Sequence, residues 1–517
     1  MKNINRIMNI EQEITNYEVC QVGRVQHFNI QYSVFIIQYS FVFLCVLCGS
    51  KLQGQTLPDT LSLNHLLELT ATHTIQEKEA AQNIWVAEAN LASLKASLKP
   101  QLSLFGNIPN FQRTVSEIVQ PNGTIQFQPI SYNNSFAVLS ANQRIAKTGG
   151  RVFVQSSLQR FDDFANDFTQ YNGNPVRIGI FQPLFAFNEW KWNQEIVPLE
   201  LEEAKKKYAF DVEQAKTLAS GLFFDLLLAY NDLEIAISNE NSIQTLFTIA
   251  EERYELGKIS ERDLIQLEVE LASAASSKKA AQRDVQRIST DIFAFLGMEN
   301  ARLLIPRLPE EIKTLDISEE QALKEMAANR FEFISAQIEQ TIAERELDRA
   351  QKDNGVQVDI TASAGYVGSA KTLDPVYSMA RDEQAISVQF NIPILDWGQR
   401  KEQMKIATIQ KEFTRQKVQQ DQLQLRARVR QVLNQFESLQ EEVQLAANIQ
   451  NLASKRYQIS TESYVLGAIS LTELTLSQRE KDQAKRQYVN VLSQYWQVYQ
   501  LLKMNTLYDF EKGEKIR

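Results

Sequence analysis

Histidine and cysteine are almost missing from this 517-residue chain, which has three of each: His27, His65 and His73, and Cys20, Cys45 and Cys48. Nothing past His73 can supply an imidazole, and nothing past Cys48 a thiol. Cys/His dyads, Ser-His-Asp triads, disulfides and most transition-metal sites are therefore excluded from nearly the whole length. The expected catalytic, cofactor-binding and metal-binding residues are accordingly none. Carboxylate-only chemistry survives, with Asp162, Asp163 and Asp167 of FDDFANDF as its material, but an acidic surface loop reads the same way. No long basic run is present and the net charge is −9, which argues against nucleic acid as a partner.

Long apolar runs are scarce too. The one stretch, 33–48, contains Gln38 and is short for a membrane-spanning helix. With Arg24 ahead of it and the polar KLQGQT behind, it reads as a secretory signal cleaved between Ser50 and Gln55. The segment before it is unusually long and holds Glu11, Glu13 and Glu18, as a mis-assigned start codon would produce. A retained anchor is the alternative; Leu47 disfavours lipid attachment at Cys48. Cleavage would leave a mature chain without cysteine, outside the cytoplasm.

Helix breakers are the third shortage. Across 188–256 the only glycine is Gly221 and the only proline Pro198, and across 399–466 neither occurs. As helix, each run of about 70 residues would be ~100 Å long, more than one soluble core needs. Shorter runs, 62–98 and 260–296, would stack end to end to match a long one. Leu264, Leu267, Leu271, Ala274 and Ala275 recur at helical spacing, as close helix-on-helix packing requires.

What is present is written twice. YELGKIS at 254–260 recurs as YVLGAIS at 464–470, and PLFAF at 183–187 as PILDW at 393–397, both at an offset of 210. QLSL at 101–104 lies over QVDI at 357–360, and Leu61-Ser62 over Ile317-Ser318, at an offset of 256. The first half thus carries 46 extra residues between Gln101 and Pro183, an extra hairpin or a long surface loop. Each half reads helix, strands, long helix, tight break, helix.

The strand regions, about 101–187 and 356–397, alternate with period two. Val356, Val358, Ile360, Ala362, Ala364 and Tyr366 fall on one face; Gln357, Asp359, Thr361 and Ser363 fall on the other. Ile386, Val388, Phe390 and Ile392 repeat the pattern, and 152–161 and 177–183 show weaker versions. A soluble sandwich or a barrel with its apolar face in lipid would both produce this. Aromatics at the strand ends, Phe185, Phe187, Trp190, Trp192 and Trp397, suit a membrane-interface belt.

From about Leu61 to Tyr508 the chain resembles the TolC family of outer-membrane factors. The resemblance rests on the tips YELGKIS and YVLGAIS, the strand exits PLFAF and PILDW, and the entry segments LSLNHLLEL and ISEEQALKE. It implies an α+β membrane protein: a long antiparallel α-helical coiled-coil barrel plus a transmembrane β-barrel completed by trimerisation, internally duplicated. The organisation expected is a leader at 1–54, repeats at 55–316 and 317–510, and a tail at 511–517. Physics asks for several copies independently, because four to six strands cannot close a barrel and open edges in lipid leave backbone groups unpaired. Three copies giving twelve strands would close one. The implied role is the outer-membrane channel of a tripartite efflux or type I secretion system, giving passive exit across periplasm and outer membrane. Its partners would be a homotrimer, a periplasmic adaptor, an inner-membrane pump and outer-membrane lipid. The alternative is a periplasmic coiled-coil scaffold without a pore.

By the same resemblance the two tips dock the adaptor through Leu256, Gly257, Ile259 and Ser260, and through Leu466, Gly467, Ile469 and Ser470. Read from the residues alone, each glycine ends a helix and each serine caps the next, a plain structural turn. Six residues after each glycine stands an acid, Asp263 or Glu473, which threefold assembly would gather into rings favouring cations. The family's latch links an Asp, a Tyr and an Arg. Asp263 and Tyr464 match the first two, but Ile469 stands where the Arg would be and Leu476 where a second acid would. The expected periplasmic gate, Asp263, Tyr464 and Glu473, is thus an incomplete latch, and helix-dipole charges in a first turn are its ordinary reading.

Overall fold

Polar side chains at the breaks decide where the first helices begin. In the computed structural model, which describes residues 60–299, 301–309, 314–466 and 468–516, strand β1 (Thr60–Leu61) leads into α1 (Leu63–His73) and α2 (Ile75–Ser97). The hydroxyls of Ser62 and Thr74 accept bonds from the N–H groups of His65 and Glu77, satisfying donors that a helix start leaves free. Five strands follow: β2 (Gln101–Asn107), β3 (Phe111–Val119), β4 (Ile125–Ile145), β5 (Gly150–Asp163) and β6 (Phe168–Leu184). Helices α3 (Glu189–Glu255) and α4 (Glu261–Phe295) come next, then β7 (Ile305–Pro306), paired in parallel with β1. The second half runs α5 (Glu319–Asn329), α6 (Glu332–Asp353), β8 (Gln357–Ala370), α7 (Leu373–Ser378) and β9 (Arg381–Asn391). It ends with α8 (Gln399–Val465), α9 (Leu471–Thr506) and a hairpin of β10 (Tyr508–Asp509) and β11 (Glu514–Lys515). The leader and Gly467 lie outside the described residues.

The duplication is built into these bounds. Helices α3 and α8 both have 67 residues, and their first and last positions differ by 210. Helices α1 and α5 both have 11 residues, 256 apart. Equivalent positions carry equivalent cores. In the second half, Val429, Leu433 and Phe436 of α8 pack with Leu492, Tyr495 and Tyr499 of α9 and Met326 of α5. The Phe436 ring lies 5.2 Å from Tyr495 and 5.6 Å from Tyr499, centroid to centroid. In the first half Ala219, Phe223 and Leu226 of α3, 210 residues earlier, are buried like Val285 and Ile292 of α4. Away from these cores α8 keeps an uncovered apolar stripe, Ile406, Ile409 and Phe413, each more than half exposed.

The sheet is antiparallel throughout, in the order β2-β4-β5-β6-β8-β9, with β3 also paired to β4. Strands β2 and β3 lie end to end along β4, β2 on Phe136–Asn142 and β3 on Ile125–Asn133. The sheet is therefore six strands wide, four from the first half and two from the second. The twelve-strand expectation drew on four strands per chain, and the sheet of one chain is six strands wide. The 46 extra residues are spent on two additional strands across the sheet and on an arm, β3 with the outer part of β4. The arm runs past the Tyr132–Asp163 pair where β5 ends. Among the described residues no helix is long and apolar enough to cross a membrane.

Candidate functional site

Register assigns every strand residue to one of two faces, because cross-strand partners share a face and successive residues alternate. One row crosses the whole sheet as Leu102, Ala141, Val154, Ile178, Ala364 and Gln384. The next row on that face is Gln143, Val152, Ile180, Ala362 and Ile386, followed by Gln182, Ile360 and Val388. None of these residues is charged. The opposite face holds Ser103, Ser140, Gln155, Arg177, Gly365 and Glu383 in a row. There the Arg177 guanidinium donates to Ser363 Oγ at 3.1 Å, Asn174 Nδ2 to Glu383 Oε2 at 2.8 Å, and Ser157 Oγ to Asn174 Oδ1 at 3.1 Å. Phe105, Phe136 and Phe153 also lie on this second face, so it is mixed, but it takes the charges that the first refuses.

The apolar face is bare. Ile386 is 81% exposed and Phe390 69%, and among the described residues the short α7 is what packs on the sheet, over β6 and β8. Its Val376 is fully buried against Gly173 and Gly368, where a Cβ would meet Val376 at 3.0 Å or less. A water-soluble sheet would cover such a face with helices or with a second sheet. From Val358 to Tyr366 along β8, about eight steps of ~3.4 Å at a tilt of about 40° give an uncharged height of ~20 Å, close to the ~25 Å apolar band of a membrane barrel. Arg160, Asp162 and Asp382 mark its outer limit, on the same face by register.

At the far ends of the long helices, Gly257 has φ +67°, the left-handed conformation that ends a helix without Cβ strain. The N–H of Gly257 reaches the Tyr254 carbonyl and that of Lys258 the Arg253 carbonyl, both at 2.8 Å. At the second tip the matching bond runs from the Ala468 N–H to the Ser463 carbonyl at 2.9 Å. Leu256 and Leu466 stand 69% and 84% exposed beside these turns; Ile259, Ile469 and Tyr464 are half-buried. Ser260 and Ser470 cap α4 and α9, and the two acids complete capping boxes. Asp263 Oδ2 accepts from the Ser260 hydroxyl at 2.8 Å and Glu473 Oε2 from the Ser470 N–H at 2.9 Å. In the single chain these carboxylates thus bind their own helix starts.

Residues 322–504 match the family model described as outer membrane efflux protein. Solved structures match across most of the chain. CmeC, an outer membrane channel of Campylobacter jejuni, superposes with a TM-score of 0.62 at 15% identity, over 87% of this chain and 88% of that one. The outer-membrane channel OprN gives 0.63 at 15% identity over 86% and 89%. VceC, an outer membrane protein of Vibrio cholerae, gives 0.60 at 15% identity over 86% and 95%. The chain has the fold of the TolC family of outer-membrane factors. CmeC and OprN are described as outer-membrane channels. No curated protein matches the chain in sequence.

Within this TolC-type fold the strand-end aromatics separate into two groups. Phe185 and Trp397 are 70% and 90% exposed, both at positive φ. Phe187, Trp190 and Trp192 are half-buried at the strand–helix junction. Arg349 lies 4.5 Å over Phe187, Arg144 4.1 Å over Trp190, and Trp192 Nε1 donates to Asp348 at 3.0 Å. The TolC-type helices also hold links that sequence reasoning missed, joining α3 to α9 well above the tips. Arg486 pairs with Asp232 at 2.6 Å, Lys485 with Glu234 at 2.9 Å, and Asn239 donates to Asp482 at 2.9 Å. Asp482 is 5% exposed, and its partner lies 243 residues away, so nothing in the local sequence marked the link.

Proposed function

We propose that the chain is one subunit of a homotrimeric duct in a bacterial outer membrane, the passive exit of a tripartite efflux or type I secretion system. The observation that carries this is the uncovered, uncharged row from Leu102 to Gln384 backed by a polar row from Ser103 to Glu383. Such a sheet is stable with lipid on one side and water on the other. Its edges, β2 and β9, are unpaired within the chain, and lipid tolerates no open edge. The uncovered stripe on α8 and the exposed Trp85 and Val86 of α2 give neighbouring subunits apolar surface along the helices as well. The exposed Leu256 and Leu466 are apolar contacts for a periplasmic adaptor, which an inner-membrane pump would energise. Asp263, Glu473 and Tyr464 surround the narrow end, where threefold symmetry repeats each acid three times. The leader at 1–54 and the repeats at 55–316 and 317–510 complete the organisation we propose.

Single-channel conductance of the detergent-purified mature protein in a planar bilayer tests this, beside an Asp263→Ala/Glu473→Ala double variant. Small stable steps in the wild type and larger ones in the variant are expected. Equal steps in both keep the pore and remove the gate. A folded, water-soluble protein that never inserts sinks the duct and favours the scaffold.

A further inference from the structure

The arm of β3 and outer β4 stands outside everything assigned so far. We infer that it folds outward onto the outer surface of the membrane and holds its apolar face against lipid, at the boundary of headgroups and acyl chains. The inference rests on the duct proposed above, which puts the uncharged face of the sheet in lipid. Strand β3 pairs with β4 from Phe111–Asn133 to Val119–Ile125, a hairpin ~27 Å long. From Ile125 to Ile130, β4 has β3 as its one partner strand, and β3 has only β4. A two-stranded hairpin is marginal in water by itself, so this one needs a surface to lie against.

Register carries the two faces of the sheet into the arm. Ala141, Leu139 and Ala137 of β4 lie on the uncharged face, and the same side of β4 continues outward through Ser131, Pro129, Phe127 and Ile125. Their partners on β3 are Arg113, Val115, Glu117 and Val119. Between sheet and arm this face crosses a polar band, where Asn133 Nδ2 donates to Asp162 Oδ2 and the Arg160 guanidinium to Asp162 Oδ1, both at 3.0 Å. Past the band the face is apolar again: Phe111, Val115, Val119, Ile125 and Phe127 are each more than half exposed. Arg113 and Glu117 among them cancel in charge. The reverse face is uncharged and mostly polar, and there Tyr132 donates to Gln112 and Gln128 to Gln126.

A bulge at the base of the arm gives it a place to turn. Asn107 pairs with Phe136 and Phe111 with Asn133, so residues 108–110 oppose only 134 and 135. One extra residue of this kind bends a strand and sharpens its twist. The faces then choose the direction. Bent outward, the arm brings the side that continues the lipid face down onto the membrane. Bent inward over the mouth, it would turn five large apolar side chains up into water, and an exposed patch of that kind marks a contact. The short α7 agrees: its Val376 packs on Gly173 and Gly368 of the same face, and beside it Leu373, Tyr377 and Met379 are exposed. At the boundary the apolar side chains reach ~5–10 Å deep. The free backbone edges of the hairpin keep water there, which the hydrocarbon core would deny them.

Fluorescence quenching of the mature protein in phosphatidylcholine vesicles tests this; the cancelling charges on the face call for no anionic lipid. Single cysteines carry a thiol-attached fluorophore: Val115→Cys and Phe127→Cys on the apolar face, Ser116→Cys and Gln128→Cys on the reverse. Leu139→Cys, on the lipid face of the sheet, is the reference. Lipid brominated near the top of its acyl chains is expected to abolish most of the emission at 115 and 127, as at 139, and to leave 116 and 128 open to a water-soluble quencher. Quenching by lipid at 139 alone, with 115 and 127 open to the aqueous quencher, overturns the inference and leaves the duct standing. Shielding of 115 and 127 from both quenchers that grows with protein density gives the face to a second copy, and overturns it too. No quenching by lipid at 139 removes the membrane face and with it both readings.

Discussion

Replacing Val154 by lysine puts a charge at the centre of the row Leu102–Ala141–Val154–Ile178–Ala364, while replacing Ser157, three residues on and on the other face, puts it among Asn174 and its neighbours. If the first face meets hydrocarbon, Val154→Lys costs ~2–4 kcal/mol per subunit near the bilayer midplane. That is a roughly 30- to 700-fold loss in the folding equilibrium of each copy, and ~6–12 kcal/mol for a trimer. Ser157→Lys loses one hydrogen bond to Asn174, ~0.5–1.5 kcal/mol, and its ammonium stays in water. The contrast is specific to a membrane wall. A soluble sandwich, with its apolar face packed inward, would suffer from Val154→Lys in water as well. The assay is equilibrium refolding from urea into lipid vesicles, compared with refolding into buffer alone. Folding that requires vesicles, with Val154→Lys the more costly by at least ~0.5 kcal/mol, is the expected result. Equal costs, or folding indifferent to lipid, would refute the assignment of faces.

Three further outcomes are expected. Ser260→Ala and Ser470→Ala each remove a capping box and cost ~1 kcal/mol, read as faster amide exchange confined to the first turns of α4 and α9. Phe436→Ala opens a cavity between Tyr495 and Tyr499 and costs ~3–5 kcal/mol in denaturant unfolding. Burial opposes ionisation of Asp509, but the Lys503 ammonium at 2.9 Å and the Tyr499 hydroxyl hold its carboxyl below the usual range. A depressed carboxyl stabilises the fold above its unfolded pKa of about 4, and that contribution is lost as pH falls through the lower folded value. The stability gap between wild type and Asp509→Asn should therefore narrow as pH drops below about 4, as measured by thermal unfolding; a gap constant with pH would refute the linkage.

The two Tyr499 contacts and the acids at the tips show how far local reading reaches. Asp263 and Glu473 stood three residues after a serine, and the capping box was legible in that spacing, as was the turn at Gly257. Whether those acids also face their copies across a threefold axis is decided by assembly, and spacing carries no such information. Trp190 and Trp192 read as interface aromatics because they follow a strand. Their contacts Arg144 and Asp348 come from segments far away in sequence, so no local pattern announces those contacts. The links from Asp232 to Arg486 and from Asn239 to Asp482 span some 250 residues and were invisible for the same reason.

By itself the sequence determined the duplication, the length of α3 and α8, the position of the tips and the two-faced character of the strands. Each follows from something local or from simple repetition: absent breakers, a glycine before a capping serine, a period of two, constant offsets. Only the tertiary structure decided how many strands the sheet holds and which residues share a row. Pairing register joins residues far apart in sequence, such as Ile178 and Ala364, and its energy is spread over backbone bonds that every residue makes alike. The 46 extra residues were visible as a count, but a hairpin added to the wall and a loop outside it have the same composition. What separates them is whether β4 and β5 find partners on both sides, and they do.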